Sequence, residues 1–315
     1  VPKPEQVVFT NNATHGLNIA IKALVRPGGT VVISGYEHNA VTRPLHAIPD
    51  VTVRVAAGQL FRPEETVEAF RKALTPEVTA AVFTHVSNAF GMILPIQELA
   101  RLCRERGVPF ILDASQSAGC LPVHLEELGA AFIAMPGHKG LYGPQGTGLL
   151  LCAQPARPLM EGGTGSLSML QEMPDFLPDR LGATHNVPGA AGLLEGLRFV
   201  ERRGPAQILE HERRLAVQCV RALSRLEGVT VYAAPRLAHQ AGVVSFRVEG
   251  MDCEEAGTRL AGQGIAVRSG LHCAPLAHRT AGTLETGTMR ASFSAFNGPG
   301  EVAALARAVS RLRAL

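Results

Sequence analysis

The sequence predicts an α/β protein built on a mostly parallel β-sheet that helices cover on both faces. Strand and helix signals alternate through the first 150 residues, which is typical of parallel sheets with helical crossovers. Two short apolar runs there, residues 108–112 and 131–135, have the composition of buried strands. Asp113 follows the first run, and His138 and Lys139 follow the second. Because the working residues of open α/β sheets gather at the carboxyl ends of strands, we expect these side chains to share one site.

The first half of the chain contains six predicted strands separated by helices or loops. Thr14 is expected to cap the first helix, and Gly107 to end the last one. The strands are predicted at residues 7–10, 30–34, 51–55, 79–84, 108–112 and 131–135. The helices are predicted at residues 17–24, at a segment ending at 47, and at residues 63–74 and 95–106.

The second half begins with a different segment. Residues 153–188 are rich in Pro and Gly, and a loop of this length is usually functional or disordered. We place a domain boundary near Gly204, which gives a large domain of residues 1–204 and a smaller C-terminal α+β domain of residues 205–315. Helices are predicted at 189–201, from 205 onward, and at 252–263 and 300–313, and strands at 229–232, 243–248, 265–268 and 289–293.

The composition argues against several classes of protein. The net charge is only +3, and no Lys/Arg run is interleaved with aromatic residues, so nucleic-acid binding is not expected. No apolar stretch reaches the ~18 residues that span a bilayer, and no basic segment is followed by an apolar one, so neither a membrane span nor a secretory signal is expected. The chain opens at Val1 close to its first strand, which suggests a fragment or a processed start.

The six cysteines form no CxxC pair, so we expect reduced thiols in a cytoplasmic protein and no metal site. Five of them lie among apolar neighbours and are expected to be packing residues. Cys273 instead lies in a polar loop with Arg268 and His272, where cationic neighbours favour a reactive thiolate. A buried packing role is the alternative, and a zinc site lacks a second pair of ligands nearby.

Asp113 and Lys139 have the chemistry that a pyridoxal 5'-phosphate (PLP) site needs. The lysine amine forms a Schiff base with the cofactor, and the carboxylate keeps the pyridine nitrogen protonated. Gln116, one helical turn after Asp113, could contact the phenolic oxygen of the same ring. Most lysines are solvated, but few lie between an apolar strand and a Gly-rich turn such as residues 140–146. A capping role is the alternative for Asp113.

Eight stretches of the chain together resemble class V aminotransferase-fold PLP enzymes, and within them the SufS-like, group II cysteine desulfurases. They occur in that family's order and cover nearly the whole chain. The resemblance implies a PLP-dependent fold of type I, without the segment that usually precedes the present Val1. The stretches are NNATHGLN (11–18), GYEHNAV (35–41), THVSNAFG (84–91), ILDASQSAG (111–119), MPGHKGLYGPQGTG (135–148), GATHN (182–186), VRSGLHCAP (267–275) and MRASFSAFN (289–297).

The resemblance implies a cofactor role for each matching residue. Lys139 would bind PLP covalently, Asp113 would pair with the pyridine nitrogen, and Gln116 with the phenolate oxygen. His38 would stack on the ring. Ala13, Thr14 and His15 at a helix start would hold the phosphate, assisted by His138, the residue before the lysine. Thr184 would reach the phosphate from the other subunit of a homodimer.

The resemblance also implies the reaction. Asn88 and Arg290 would hold the substrate carboxylate with Arg268 nearby, and Cys273 would form a persulfide. L-cysteine would then give L-alanine, with the sulfur passing to an acceptor protein. Lys139, Cys273 and His38 are the catalytic candidates. The alternatives are a selenocysteine or sulfinate lyase, a class V aminotransferase, or an inert sulfur-carrier or scaffold protein with the same fold.

The chain departs from the family pattern at a few positions. Pro136 stands where a serine is common, so a hydroxyl contact to the phosphate is lost unless another group replaces it. His185 replaces the usual proline, and Leu271 replaces a histidine. We therefore expect the phosphate end of the site to differ most from the family.

Overall fold

The computed structural model describes residues 3–182 and 184–312, and its centre is a seven-stranded sheet with the order β1-β7-β6-β5-β4-β2-β3. Strands β2 to β6 pair in parallel, whereas β7 runs antiparallel to both β1 and β6. The predicted mostly parallel sheet is confirmed. Its strands are β1 (Val7–Thr10), β2 (Thr30–Ser34), β3 (Thr52–Ala56), β4 (Val78–Thr84), β5 (Phe110–Asp113), β6 (Phe132–Pro136) and β7 (Gly148–Cys152).

Apolar clusters bury both faces of this sheet, because successive residues of its strands point to opposite sides. Val31 and Ile33 of β2 belong to one cluster, and Val32 between them belongs to the other. Ile111 and Leu112 of β5 divide in the same way. The helices around the sheet are α1 (Ala13–Leu24), α2 (Asn39–His46), α3 (Pro63–Ala73), α4 (Ile96–Glu105), α5 (Leu125–Leu128), α6 (Leu177–Gly182) and α7 (Val187–Arg203).

The C-terminal part forms a second, four-stranded antiparallel sheet with the order β10-β11-β9-β8. Most of its helices and strands enclose an apolar cluster of their own, whereas Ala277 of α10 belongs to a cluster of the large sheet. Gly204 separates α7 from α8, which supports the proposed division of the chain there. The elements are α8 (Pro205–Leu223), β8 (Val229–Tyr232), β9 (Val243–Val248), α9 (Cys253–Ala261), β10 (Arg268–Gly270), α10 (Pro275–Thr280), β11 (Thr288–Ser292) and α11 (Pro299–Leu312).

Helix α1 begins earlier than the sequence predicts, and the expected cap at Thr14 is wrong. Asn12 is the N-cap, since its side chain accepts a hydrogen bond of 2.9 Å from the amide of His15. Asparagine is among the strongest N-cap residues, so it starts the helix two residues before Thr14. Thr14 therefore lies in the first turn of α1.

Other differences concern short elements. Strand β7 was not predicted. Strand β10 begins at Arg268 rather than at residue 265, because the amide of Ile265 donates a hydrogen bond to Leu260 O at the end of α9. The last residue of the helix predicted to end at Arg313 lies outside the described residues. In the part of the chain that the structure describes, no helix is long and apolar enough to cross a membrane.

Gly119 is the position where the fold most clearly requires glycine. Its φ is +93°, and a Cβ atom there would lie 1.9 Å from Gly140 O, next to Lys139. We expect Gly119→Ala to lower the free energy of unfolding by more than about 2 kcal/mol, since it adds a backbone clash to the strain of positive φ.

Gly107→Ala is the matched control, because Gly107 has a φ of +65° and no atom lies within 4 Å of the position that a Cβ atom would take there. Gly107→Ala should lower the free energy of unfolding by about 1 kcal/mol, which is the cost of positive φ alone. Urea unfolding of both variants checks the difference. Equal destabilisation would contradict the close approach of the loops after β5 and β6.

Candidate active site

Asp113 and Lys139 lie on the wall of one cavity of about 350 Å³. Ligand sites of proteins range over roughly 300–1,000 Å³, so the cavity has the size of a small-molecule site. Eight of the residues predicted for the site line it: Ala13, Thr14, His38, Asn88, Asp113, Gln116, His138 and Lys139. Six further residues complete the lining: Asn12, Ala40, Thr84, Val86, Ser115 and Pro136.

Asp113 is the last residue of β5 and is only 2% exposed. Its Oδ1 accepts a hydrogen bond of 2.9 Å from the amide of Ser115. The neighbouring strand β4 ends beside it, because Thr84 and Asp113 are partners in the parallel register. The sheet therefore fixes a buried carboxyl group at the floor of the cavity.

Lys139 follows β6 by three residues and is partly buried. Burial lowers the pKa of its amine, because an ammonium ion loses solvation there, and Arg290 lowers it further. The charge of Asp113 acts in the opposite direction. A lysine with a lowered pKa is more easily deprotonated, as nucleophilic and proton-accepting lysines must be.

His38 is the N-cap of α2, and this fixes its ring. Its Nδ1 accepts a hydrogen bond of 2.9 Å from the amide of Ala40, so the proton of the neutral ring is on Nε2. Burial lowers the pKa of His38, with Asp113 opposing the shift. The cavity thus has one wall formed by a flat imidazole ring that is neutral at pH 7.

The N-terminus of α1 forms another wall, at Ala13 and Thr14. Gly148 allows its close approach, since a Cβ atom there would lie 2.9 Å from Asn12 Cα. The first amides of a helix have no acceptor within the helix and suit a phosphate. His15 does not line the cavity, and its Nδ1 accepts a hydrogen bond of 3.3 Å from the amide of Asn11.

These groups fit PLP. A helix N-terminus suits the phosphate, the buried Asp113 suits a pyridinium nitrogen, and Lys139 supplies the amine for covalent attachment. Pro136 lines the cavity without a hydroxyl, but Ser115 supplies one, which the sequence did not indicate. Thr84 was also missed, although both residues lie in stretches that resemble the family.

Arg290 and Asn88 meet between the two sheets. Nη1 of Arg290 donates a hydrogen bond of 2.8 Å to Asn88 O, and Asn88 Nδ2 donates one of 2.7 Å to His272 O. Nε of Arg290 is buried without a hydrogen-bond partner among the described residues. Arg268 is the partner of Arg290 across the β10–β11 pair. The guanidinium group of Arg290 therefore keeps donors for an anion.

Cys273 is exposed, whereas the other five cysteines are buried, as the sequence predicts. It lies in a loop where His272 and Cys273 have φ values of +52° and +56°. Its carbonyl oxygen accepts a hydrogen bond of 2.8 Å from the amide of Asn39, the residue after His38. The thiol loop of the C-terminal part is thus joined directly to an element of the cavity.

Thr184 lies apart from the cavity. It lines a small hollow of about 20 Å³ together with Phe9, His185 and Asn186. Its neighbour Ala183, in the GATHN stretch, lies outside the described residues. In the described ranges, 3–182 and 184–312, no group of three or more His, Cys, Asp or Glu side chains is placed to hold a metal ion.

Arg290→Lys tests the carboxylate assignment. A lysine keeps the charge but loses the planar pair of donors that bind a carboxylate at two points. Because a hydrogen bond to a charged group contributes about 1.5–3 kcal/mol, we expect the KM for L-cysteine to rise about 10- to 100-fold. Steady-state kinetics measures this change, with Arg106→Lys at an exposed position after α4 as the control. An unchanged KM would mean that Arg290 does not bind the substrate carboxylate.

Comparisons with known proteins agree with this geometry. The model of the "Aminotransferase class-V" family matches residues 1–305. A probable cysteine desulfurase of Methanothermobacter thermautotrophicus is 31% identical, over 98% of this chain and 79% of the relative. A probable cysteine desulfurase of Pyrococcus abyssi is 32% identical, over 95% of this chain and 76% of the relative.

Solved structures show the same fold. The apo structure of a cysteine desulfurase from Thermococcus onnurineus superposes with a TM-score of 0.89 at 32% identity, over 99% of this chain and 80% of that one. The cysteine desulfurase CsdA from Escherichia coli gives a TM-score of 0.89 at 26% identity, over 100% and 80% of the two chains. The predicted α/β fold of the PLP-dependent enzymes is confirmed, and the chain belongs to the class V aminotransferase family.

Proposed function

We propose that the protein is a PLP-dependent cysteine desulfurase, which converts L-cysteine to L-alanine and takes the sulfur onto Cys273. One observation supports this function above the others. The exposed Cys273 is hydrogen-bonded through its backbone to Asn39, and the preceding residue His38 lines the cavity together with Asp113 and Lys139. The relatives named as probable cysteine desulfurases support the same reaction.

Each residue of the cavity has a separate role in the proposed reaction. When bound, PLP would withdraw electrons from the α-carbon of the substrate, which carries the substrate's amino group. Lys139 holds the cofactor and then moves the proton of the substrate α-carbon. Asp113 holds a proton on the cofactor's ring nitrogen, and Arg290 with Asn88 orients the substrate carboxylate.

In the sulfur step the thiolate of Cys273 is the nucleophile, and bound PLP would supply the electron withdrawal that lets the C–S bond break. The thiolate attacks the substrate sulfur, so an S–S bond forms while the C–S bond breaks. The electron pair of the broken bond stays with the substrate carbon, which is then protonated to give L-alanine. Cys273 is left as a persulfide, whose terminal sulfur passes to an acceptor protein or to a thiol reductant.

We further propose that the chain forms a homodimer through residues 160–182 and 184–194. Large apolar side chains are concentrated there on the surface, and Met169 is 95% exposed. Exposed apolar side chains concentrated in one segment are a feature of interfaces between subunits. Thr184 lies in the same segment and is the residue expected to reach the neighbouring site. The exposed side chains are Met160, Leu167, Met169, Leu170, Phe176, Val187 and Leu194.

Light scattering tests the dimer. Met169→Asp should weaken it, because a carboxylate would be buried against apolar surface. A monomer that still binds PLP tightly would contradict the role of Thr184.

The proposed reaction is tested by measuring L-alanine and sulfide released from L-cysteine, with L-selenocysteine in parallel. Equal alanine and reduced sulfur from L-cysteine support a desulfurase. Turnover of L-selenocysteine alone would instead identify a selenocysteine lyase. Protein without the yellow absorption of bound PLP would favour an inert sulfur carrier or scaffold.

A further inference from the structure

Glu37 is a buried carboxylic acid that the proposed reaction does not use. It follows β2 in the turn that leads to His38, and none of its surface is exposed. Its Oε1 accepts a hydrogen bond of 2.9 Å from the amide of Thr84 and another from the hydroxyl of Ser34. Its Oε2 is buried without a partner among the described residues.

The hydrogen bonds of Glu37 join the turn to the floor of the cavity. Thr84 is the last residue of β4 and is the register partner of Asp113. The hydroxyl of Thr84 donates a hydrogen bond of 3.0 Å to Val86 O, which fixes the same chain segment. Glu37 therefore connects the turn before His38 to the strand pair that carries Asp113.

The opposite side of this turn is joined to the C-terminal part. The amide of Asn39 donates to Cys273 O over 2.8 Å, and the hydroxyl of Thr280 donates to Gly35 O over 2.8 Å. The turn of residues 35–39 thus lies between the end of β4 and the Cys273 loop. A shift of this turn would move His38 and the thiol loop together.

The charge state of Glu37 follows from its surroundings. Its pKa is raised to about 8, chiefly because burial disfavours the charged form; the hydrogen bonds from Ser34 and Thr84 oppose the shift, and the nearby charge of Asp113 adds to it. Two ionised carboxylates this deeply buried would repel each other in a medium of low dielectric constant. A neutral Glu37 keeps its hydrogen bonds through Oε1 and places no second buried charge near Asp113.

We propose that Glu37 is a positioning residue, which as a neutral acid holds the turn of residues 35–39 against β4 and so sets His38 and the Cys273 loop relative to Asp113. This inference rests on the proposed function only where it concerns turnover. The holding of the turn itself is a property of the chain and can be measured without turnover.

Glu37→Ala and Glu37→Gln test the proposal, with the exposed Glu98→Ala as the control. We expect Glu37→Ala to speed hydrogen exchange at the amides of Thr84 and Asn39, and to lower kcat/KM for L-cysteine at least about tenfold. Glutamine keeps a neutral acceptor at the same place, so it should restore slow exchange and most of the turnover. The proposal is overturned if alanine leaves exchange at both amides unchanged, or if glutamine is as damaging as alanine.

The pH dependence of unfolding gives a second readout. A carboxyl whose pKa rises from 4.5 to about 8 on folding binds more protons in the folded state between those values. The folded protein therefore loses stability as the pH rises from about 4.5 to 8, and Glu37→Gln removes this loss. The Tm of the glutamine variant should rise relative to wild type across that range. A constant difference would show that Glu37 is ionised in the folded protein.

These measurements separate the two ideas. Wild-type protein that releases no alanine would overturn the proposed function, whereas the exchange and Tm data would still test Glu37. Normal turnover in Glu37→Ala would overturn the positioning role and leave the desulfurase proposal intact.

Discussion

Replacement of Lys139 by alanine is expected to lower the rate of alanine formation from L-cysteine by at least ~10³-fold. Lys139 lies on the cavity wall with Asp113, and burial lowers the pKa of its amine. The variant loses both the covalent attachment of the cofactor and the base for the α-proton. Single-turnover kinetics and the visible spectrum of PLP measure the two losses.

Lys22→Ala is the matched control, because Lys22 is exposed near the end of α1. It should keep wild-type spectra and rates, since surface substitutions away from special features usually change stability by less than ~0.5 kcal/mol. In the wild type, borohydride reduction followed by mass spectrometry should place the cofactor on the peptide that contains Lys139. A cofactor found on another lysine would contradict the assignment of the site.

Replacement of Cys273 by alanine is expected to abolish desulfuration while leaving the bound cofactor intact. Cys273 is exposed and does not line the cavity, so its removal leaves the lining residues Asp113 and Lys139 in place. Because the variant has no thiolate on this loop to accept the substrate sulfur, we expect kcat to fall by about 10²-fold or more. Sulfide release and the absorption spectrum of the variant test both parts of the expectation.

Alkylation of the wild type provides the control for this variant. Cys273 is the exposed thiol, and the pKa values of Cys103, Cys152 and Cys219 are raised to about 12 by burial. Brief treatment with iodoacetamide should therefore modify Cys273 first and stop turnover with the loss of one thiol. Full turnover of L-cysteine by Cys273→Ala would exclude the persulfide mechanism.

The parallel sheet and the cofactor pair could be predicted from local sequence. Asp113 and Lys139 each follow an apolar run that is buried on both faces, and such runs are recognisable without knowledge of distant contacts. Cys273 could also be identified from local sequence, since its polar loop differs from the apolar surroundings of the other cysteines. The resemblance to class V aminotransferase-fold enzymes then related these residues to one reaction.

Local sequence predicts an element less well when the element depends on a partner strand or on a capping side chain. Strand β7 exists because it pairs with both β1 and β6, and Asn12 rather than Thr14 caps α1 because its side chain reaches the amide of His15. His15 matches the family pattern, yet its ring is bonded to Asn11 and lies outside the cavity lining. Such outcomes depend on side-chain direction, which residue spacing alone does not determine.

The sequence by itself determined the fold class and indicated the proposed cofactor pair and the proposed reactive cysteine, because each depends on residue type and short-range periodicity. Only the tertiary structure decided how these parts are connected. Glu37 is separated from Thr84 by 47 positions and Asn88 from His272 by 184, yet both pairs are hydrogen-bonded. Contacts over such separations form when packing of the two sheets and their helices brings distant segments together, and no local pattern records which polar groups then meet.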